Sequence, residues 1–244
     1  MIICEIGLNH LGNLEYSKRY VESLSNSSCD ALTYQIREGD FYKREKYKNY
    51  ELSFKHYEEM KNLTNKKFGF ALSNHDLLKD CESLKPDFYK ILSWELSNYK
   101  FIDDLLENTN KEIHISTGTS SIKELDEFHK RYGINDRINF IHTQLSKEAK
   151  DTNLKAISFL SDKYPYKIGY GNHCDNKSVI MASVVFEPSN IWLYVKGGDF
   201  NFRFHPDEFW AVNLLELDSL IYDIKTVRTS IGDGLKQSTN TKGY

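Results

Sequence analysis

The stretch IHISTGTSSIKEL, Ile113–Leu125, holds one whole unit of the fold. A β-rich run spanning Glu112–Thr117 passes through Gly118 and a set of hydroxyls and goes directly into a helix. Ser121 and Glu124 have the spacing of a capping box, in which each side chain satisfies a backbone N–H at the helix start. Ile122, Leu125, Phe128 and Tyr132 form one apolar stripe, and Gly133 stops the helix. The same alternation of short strand and helical segment recurs on both sides. The spacing predicts strands at Ile2–Ile6, Ala31–Ile36, Phe68–Leu72, Phe88–Leu92, Glu112–Thr117, Ile138–Thr143, Lys167–Gly171 and Ile191–Lys196. A helix over Asn13–Asn26 places Leu14, Val21 and Leu24 on one face. A last helix is expected to carry Pro206 in its first turn, with Phe209, Val212, Leu220, Ile224 and Val227 at helical spacing, and to run out near Gly232.

Strands separated by helices pair in parallel through right-handed crossovers, and eight of them close a barrel with a filled interior. The expected fold is therefore a single-domain (β/α)8 TIM barrel over residues 1–244. A doubly wound open sheet would show a GxGxxG turn after its first strand, whereas Gly7–Asn13 reads GLNHLGN. Residues 37–50, charged and rich in tyrosine, are long for a connection and read as a lid or an excursion over the barrel mouth. The polar end, Lys236–Tyr244, is expected to fray. With 244 residues, 40% hydrophobic and 27% charged, the composition suits a soluble globular protein. A net charge of −3 offers no footprint for nucleic acid, and no apolar run reaches the ~20 residues that span a bilayer. Cys4, Cys29, Cys81 and Cys174 lack CxxC spacing, so reduced cysteines and a cytoplasmic location are expected.

In such barrels the site forms at the carboxyl ends of the strands. Those ends carry Glu5, Asn9 and His10, then Gln35, then Ser73, Asn74 and His75, then Lys90, Ser93 and Glu95. Ser116, Thr117 and Gly118 follow, then His142, then Asn172 and His173. The hydroxyls, glycine and helix start after the fifth strand have the make-up of a phosphate cradle, although Ser120 and Ser121 would also serve simply as caps. Lys90 sits inside an apolar strand, where its charge needs an anionic partner such as a ligand phosphate or carboxylate.

The chain resembles the catalytic barrel of the sialic acid (N-acetylneuraminate) synthases. The resemblance is carried by EIGLNHLGN at Glu5–Asn13, CDALTYQ at Cys29–Gln35, FYKILSWELSN at Phe88–Asn98, ISTGTSSIKEL at Ile115–Leu125, IGYGNHCDN at Ile168–Asn176 and FHPDEFW at Phe204–Trp210. It implies condensation of phosphoenolpyruvate with a sugar aldehyde to give a 2-keto sugar acid. By the resemblance, Lys90, Ser93, Ser116 and Ser73 bind phosphoenolpyruvate, while Gln35 and Glu95 hold the acceptor sugar. Glu5 lies at the site's floor, Asp199 leans in, and His173 is one of two histidines holding a divalent metal, Mn2+ or Mg2+, that polarises the aldehyde. A homodimer is compatible with it. The antifreeze-like C-terminal domain of many members is expected to be absent.

The sequence also departs from the family pattern. Thr33 stands at the strand 2 lysine, Leu145, Ser146 and Lys147 replace the Asn-x-Tyr pattern, and Gly171 replaces a serine. In strand 8, Leu193 and Val195 stand where the family has an acid and its second metal histidine. Those losses predict weak metal binding, with His10, His75, His142 or Asp199 as the groups able to substitute. A divergent member that binds a phosphorylated or sugar-acid ligand without the condensation is the alternative, and a scaffolding role in a surface-glycan pathway is a third.

Overall fold

The computed structural model describes residues 1–197 and 205–236. Eight parallel strands close on themselves: β1 (Ile2–Gly7), β2 (Ala31–Ile36), β3 (Lys67–Leu72), β4 (Phe88–Ile91), β5 (Glu112–Ser116), β6 (Ile138–Thr143), β7 (Lys167–Gly171) and β8 (Ile191–Lys196). They lie in chain order, and β1 pairs with β8 to complete the ring. The expected strands are met to within a residue at their ends. The helices between them are α1 (Leu14–Asn26), α2 (Gly39–Tyr42), α3 (Phe54–Asn62), α4 (Leu78–Ser83), α5 (Tyr99–Asn108), α6 (Ile122–Tyr132), α7 (Ala156–Lys163) and α8 (Lys177–Ser183). A two-residue strand, β9 (Val212–Asn213), pairs with the end of β8, and α9 (Leu214–Ile231) closes the described chain.

Successive side chains on a strand point to opposite sides, so each strand divides its residues between two cores. Cys4, Leu32, Tyr34, Phe70, Tyr89, Ile91, Ile113, Phe140, Tyr170, Leu193 and Val195 face outward and pack with the helices. Inside the barrel, Ile3, Ala31, Phe88, Ile141 and Trp192 form a separate apolar plug. His114 sits on that plug, its ring 5.1 Å from Trp192 and 5.6 Å from Phe88. Above the plug the interior turns polar, which is where the site begins.

The capping box of α6 forms as expected: Glu124 N–H donates to Ser121 Oγ at 3.3 Å, and Ser121 N–H donates to Glu124 Oε2 at 2.7 Å. The last helix starts later than expected. Asn213 caps α9 by accepting from Leu215 N–H at 2.9 Å, and the helix buries Leu217, Leu220, Ile221 and Ile224. Pro206 lies in a turn before it, Phe209 is 61% exposed, and Val212 pairs with Val195 in β9. The reason is a competing set of bonds. Asp207 N–H donates to Asn9 Oδ1, and Lys196 Nζ donates to the Glu208 carbonyl and to Glu208 Oε1, which hold residues 205–210 as a turn against the barrel mouth.

The segment 37–50 folds over the mouth. Phe41 and Tyr42 of α2 pack with Leu8, and Tyr47 and Tyr50 lie against them. Gly12, at φ +70°, permits this docking, since a Cβ there would lie 1.7 Å from the Asn49 carbonyl oxygen. All four cysteines are buried and unbridged. Among the described residues no helix is long and apolar enough to cross a membrane.

Candidate active site

Glu5 and Lys90, from opposite sides of the barrel, meet above the interior plug. Lys90 Nζ donates to Glu5 Oε2 at 2.5 Å, with both side chains almost wholly removed from water. The anion that the buried lysine needs is thus supplied by the protein itself. The ammonium also lies 5.1 Å from the Trp192 ring and 5.5 Å from the Tyr194 ring, which hold it between aromatic faces.

Around this pair opens a narrow throat of about 40 Å³ lined by Gln35, Lys90, Ser93, Ser116, His173 and Tyr194, with Leu92, Trp94 and Leu145. Ser93 Oγ and Ser116 Oγ are hydrogen-bonded at 2.8 Å. Gly118 is required beside them, because a Cβ there would come within 2.9 Å of Ser93 Oγ. The throat leads into an antechamber of about 310 Å³ that shares Gln35, Trp94, Leu145, His173 and Tyr194. Arg37, Phe41, Tyr47, Asp207 and Trp210 complete its walls, together with Leu8 and Pro206. Arg37 spans Phe41 and Trp94 at 4.2 and 5.3 Å and is paired through its fork with Glu38.

Of the residues chosen from sequence, Glu5, Gln35, Lys90, Ser93, Ser116 and His173 converge on this mouth. Ser73 is turned aside, its hydroxyl donating to Glu38 Oε2 at 2.7 Å. Glu95 accepts from Asn98 Nδ2 at 2.8 Å and lines neither chamber. Asp199 lies outside the described residues. The histidines proposed as substitute ligands also lie elsewhere. His10 is buried with its Nδ1 accepting from Gly12 N–H and its ring against Tyr34, and burial lowers its pKa to about 3. His75 sits beside Lys100 and Asp76 on the outer side, and His142 points outward to the Thr152 carbonyl.

Strand alternation also corrects the reading of β8. Leu193 and Val195 face the helices and cannot mark a lost pair of inward ligands. The inward positions are Trp192 and Tyr194, Tyr194 being level with Glu5 in the β1–β8 register. His173 is enclosed by Tyr194 and Trp210, with ring centroids 5.3 and 5.1 Å away. Burial, with the nearby Lys90 charge, lowers its pKa to about 3, so the imidazole is neutral. These residues do not suit a divalent cation. Among the described residues no three His, Cys, Asp or Glu side chains are placed to share one, the Glu5 carboxylate is taken by Lys90, and β8 offers a phenol and an indole.

Arg37, Trp94, Tyr194, Asp207 and Trp210 were not singled out from sequence. Trp94, Asp207 and Trp210 lie inside the quoted motifs, but nothing in one sequence says which of their side chains turn inward. Asp207 is half-buried in the turn before β9. Burial and the Glu5 charge, opposed by Lys90, raise its pKa from the usual carboxyl value to about 7.

The family model described as the NeuB family matches residues 16–236. This chain belongs to the NeuB family. It is 24% identical, over 99% of its length and 80% of the relative's, to the N,N'-diacetyllegionaminic acid synthase of Campylobacter jejuni. It is 23% identical to the N-acetylneuraminate-9-phosphate synthase of Mus musculus over 97% of this chain and 72% of that one. The N-acetylneuraminic acid synthetase of Leptospira borgpetersenii, solved with citrate, superposes with a TM-score of 0.86 at 21% identity, covering 98% of this chain and 87% of that one. This NeuB-family chain therefore shares the barrel of the solved sialic acid synthetase.

Proposed function

We propose that this protein condenses phosphoenolpyruvate with a sugar aldehyde to form a 2-keto sugar acid. The observation that carries the reading is the convergence of Lys90, Ser93 and Ser116 in one throat beneath an aromatic antechamber. A lysine and two hydroxyls are donors of the kind that hold the phosphate and carboxylate of phosphoenolpyruvate. Trp94, Tyr194 and Trp210 offer flat apolar faces for the C–H side of a sugar ring, and Gln35 offers an amide to its hydroxyls. The names of the relatives, synthases of nonulosonic acids, support the same reaction class.

Binding of phosphoenolpyruvate must redirect Lys90 from Glu5 and widen a throat that holds little more than water. That narrowness favours one second reading, a barrel that binds a phosphorylated or sugar-acid ligand in the antechamber without condensing it. One experiment separates them. The protein is incubated with phosphoenolpyruvate and a panel of N-acetylated aldoses, with added Mn2+ or Mg2+ and with a chelator, and phosphate release is followed. Release that needs both substrates is expected. Tight phosphoenolpyruvate binding with no release under any condition would support the second reading.

A further inference from the structure

We propose that Asp207 and Tyr194 form an acid pair that receives the acceptor's carbonyl oxygen and takes the polarising role that the resemblance gives to a metal ion. The inference rests on the condensation proposed above and names the groups that carry out its first step.

Asp207 and Tyr194 both close on the end of β1 at Gly7. A Cβ at Gly7 would lie 3.2 Å from Asp207 Oδ2 and 3.1 Å from Tyr194 Cε1, so a residue without a side chain, at φ +57°, lets both groups approach. Asn9 fixes their relation: its Nδ2 donates to the Val195 carbonyl at 2.8 Å, next to Tyr194, and its Oδ1 accepts from Asp207 N–H at 3.2 Å. Lys196 ties the same turn to β8 through Glu208. The two groups therefore sit on a braced frame, and both line the antechamber beside His173.

Their protonation suits the task. A phenol is a neutral O–H donor at neutral pH, and Tyr194 lines the antechamber beside Asp207. Asp207 retains a proton up to about pH 7 for the reasons given above. A neutral carboxyl and a phenol together make an oxyanion-stabilising site without a metal.

The step balances as follows. The enol π electrons of phosphoenolpyruvate form the new bond to the aldehyde carbon, and the carbonyl electron pair moves to its oxygen. That oxygen takes the Asp207 proton while accepting a hydrogen bond from Tyr194, and Asp207 is left as carboxylate. Water adds to the resulting cationic carbon, returning a proton to Asp207. Phosphate departs with the C–O electron pair and takes the remaining hydroxyl proton, leaving the ketone.

The test uses the full chain in chelator with phosphoenolpyruvate and the aldose that supports phosphate release. Release is expected to continue without metal. Asp207→Asn and Tyr194→Phe are each expected to lower kcat by about 100-fold or more, with phosphoenolpyruvate affinity by calorimetry unchanged and Asp207→Glu partly active. Wild-type turnover in Asp207→Asn would overturn the assignment while leaving the condensation intact, and so would turnover that vanishes in chelator and returns with Mn2+. No release from the unaltered protein with any aldose would remove the condensation and this assignment together.

Discussion

Lys90 and Glu5 are legible in the sequence as a lysine in an apolar strand and an acid at a strand end, but their pairing is not, because 85 residues separate them. Each charge is tolerated in the barrel because the other is there. Lys90→Ala is expected to cost about 3–5 kcal/mol, since it strands a buried carboxylate. Glu5→Gln combined with Lys90→Met should recover most of that loss, and urea denaturation of the parent and the two variants measures it. Asp207 makes the opposite contribution. Its folded pKa, about 7, is raised above the ordinary carboxyl value. Its contribution is fully present below about pH 4 and is lost as pH rises through 7. The charges of Glu5 and Lys90 act on it from the barrel, Tyr194 and His173 line the same chamber, and Glu208 adjoins it on its own turn. Asp207→Asn should therefore be more stable than the parent above pH 7, by about 1–2 kcal/mol after allowance for partial exposure. The difference should shrink towards zero below pH 4, as followed by thermal melts across pH.

At the scale of elements, local chemistry was readable wherever it acts within a few residues. The α6 capping box needs only Ser121 and Glu124, three positions apart, and it forms. The start of α9 is not legible in the sequence because apolar spacing from Phe209 to Val227 resembles one helix, whereas Asn9 and Lys196, distant in sequence, hold residues 205–210 as a turn. The segment 37–50 stood out by length and composition, but its docking depends on Gly12. Gly12→Ala places a Cβ against the Asn49 carbonyl in a backbone region unfavourable to alanine. It is expected to lift this segment from the mouth, seen as faster proteolysis within 37–50 and a lower melting temperature, with far-ultraviolet circular dichroism preserved.

For the whole molecule, the closed barrel decides which of two faces every strand residue occupies, and this governs the metal question. Tyr194→His puts an imidazole inside beside His173, and calorimetry is expected to show a gain in Mn2+ affinity over the weak binding expected of the parent. Leu193→Glu with Val195→His instead buries polar groups among the helices; no gain in affinity is expected, and stability should fall by several kcal/mol. The sequence by itself determined the eight strands, because β-rich runs, caps and glycine stops are local and period-dependent. It also determined the family, through motifs at strand ends, and the convergence of Lys90, Ser93, Ser116 and His173, since barrel strands place their ends at one mouth. Only the tertiary structure decided the inward face of β8, where the continuous apolar run Ile191–Val195 carries no alternation to read. It also decided the burial of Lys90 against Glu5 and the approach of Asp207 to Tyr194 over Gly7. These depend on ring closure, on the bracing of a turn by Asn9, and on contacts between residues far apart in the chain.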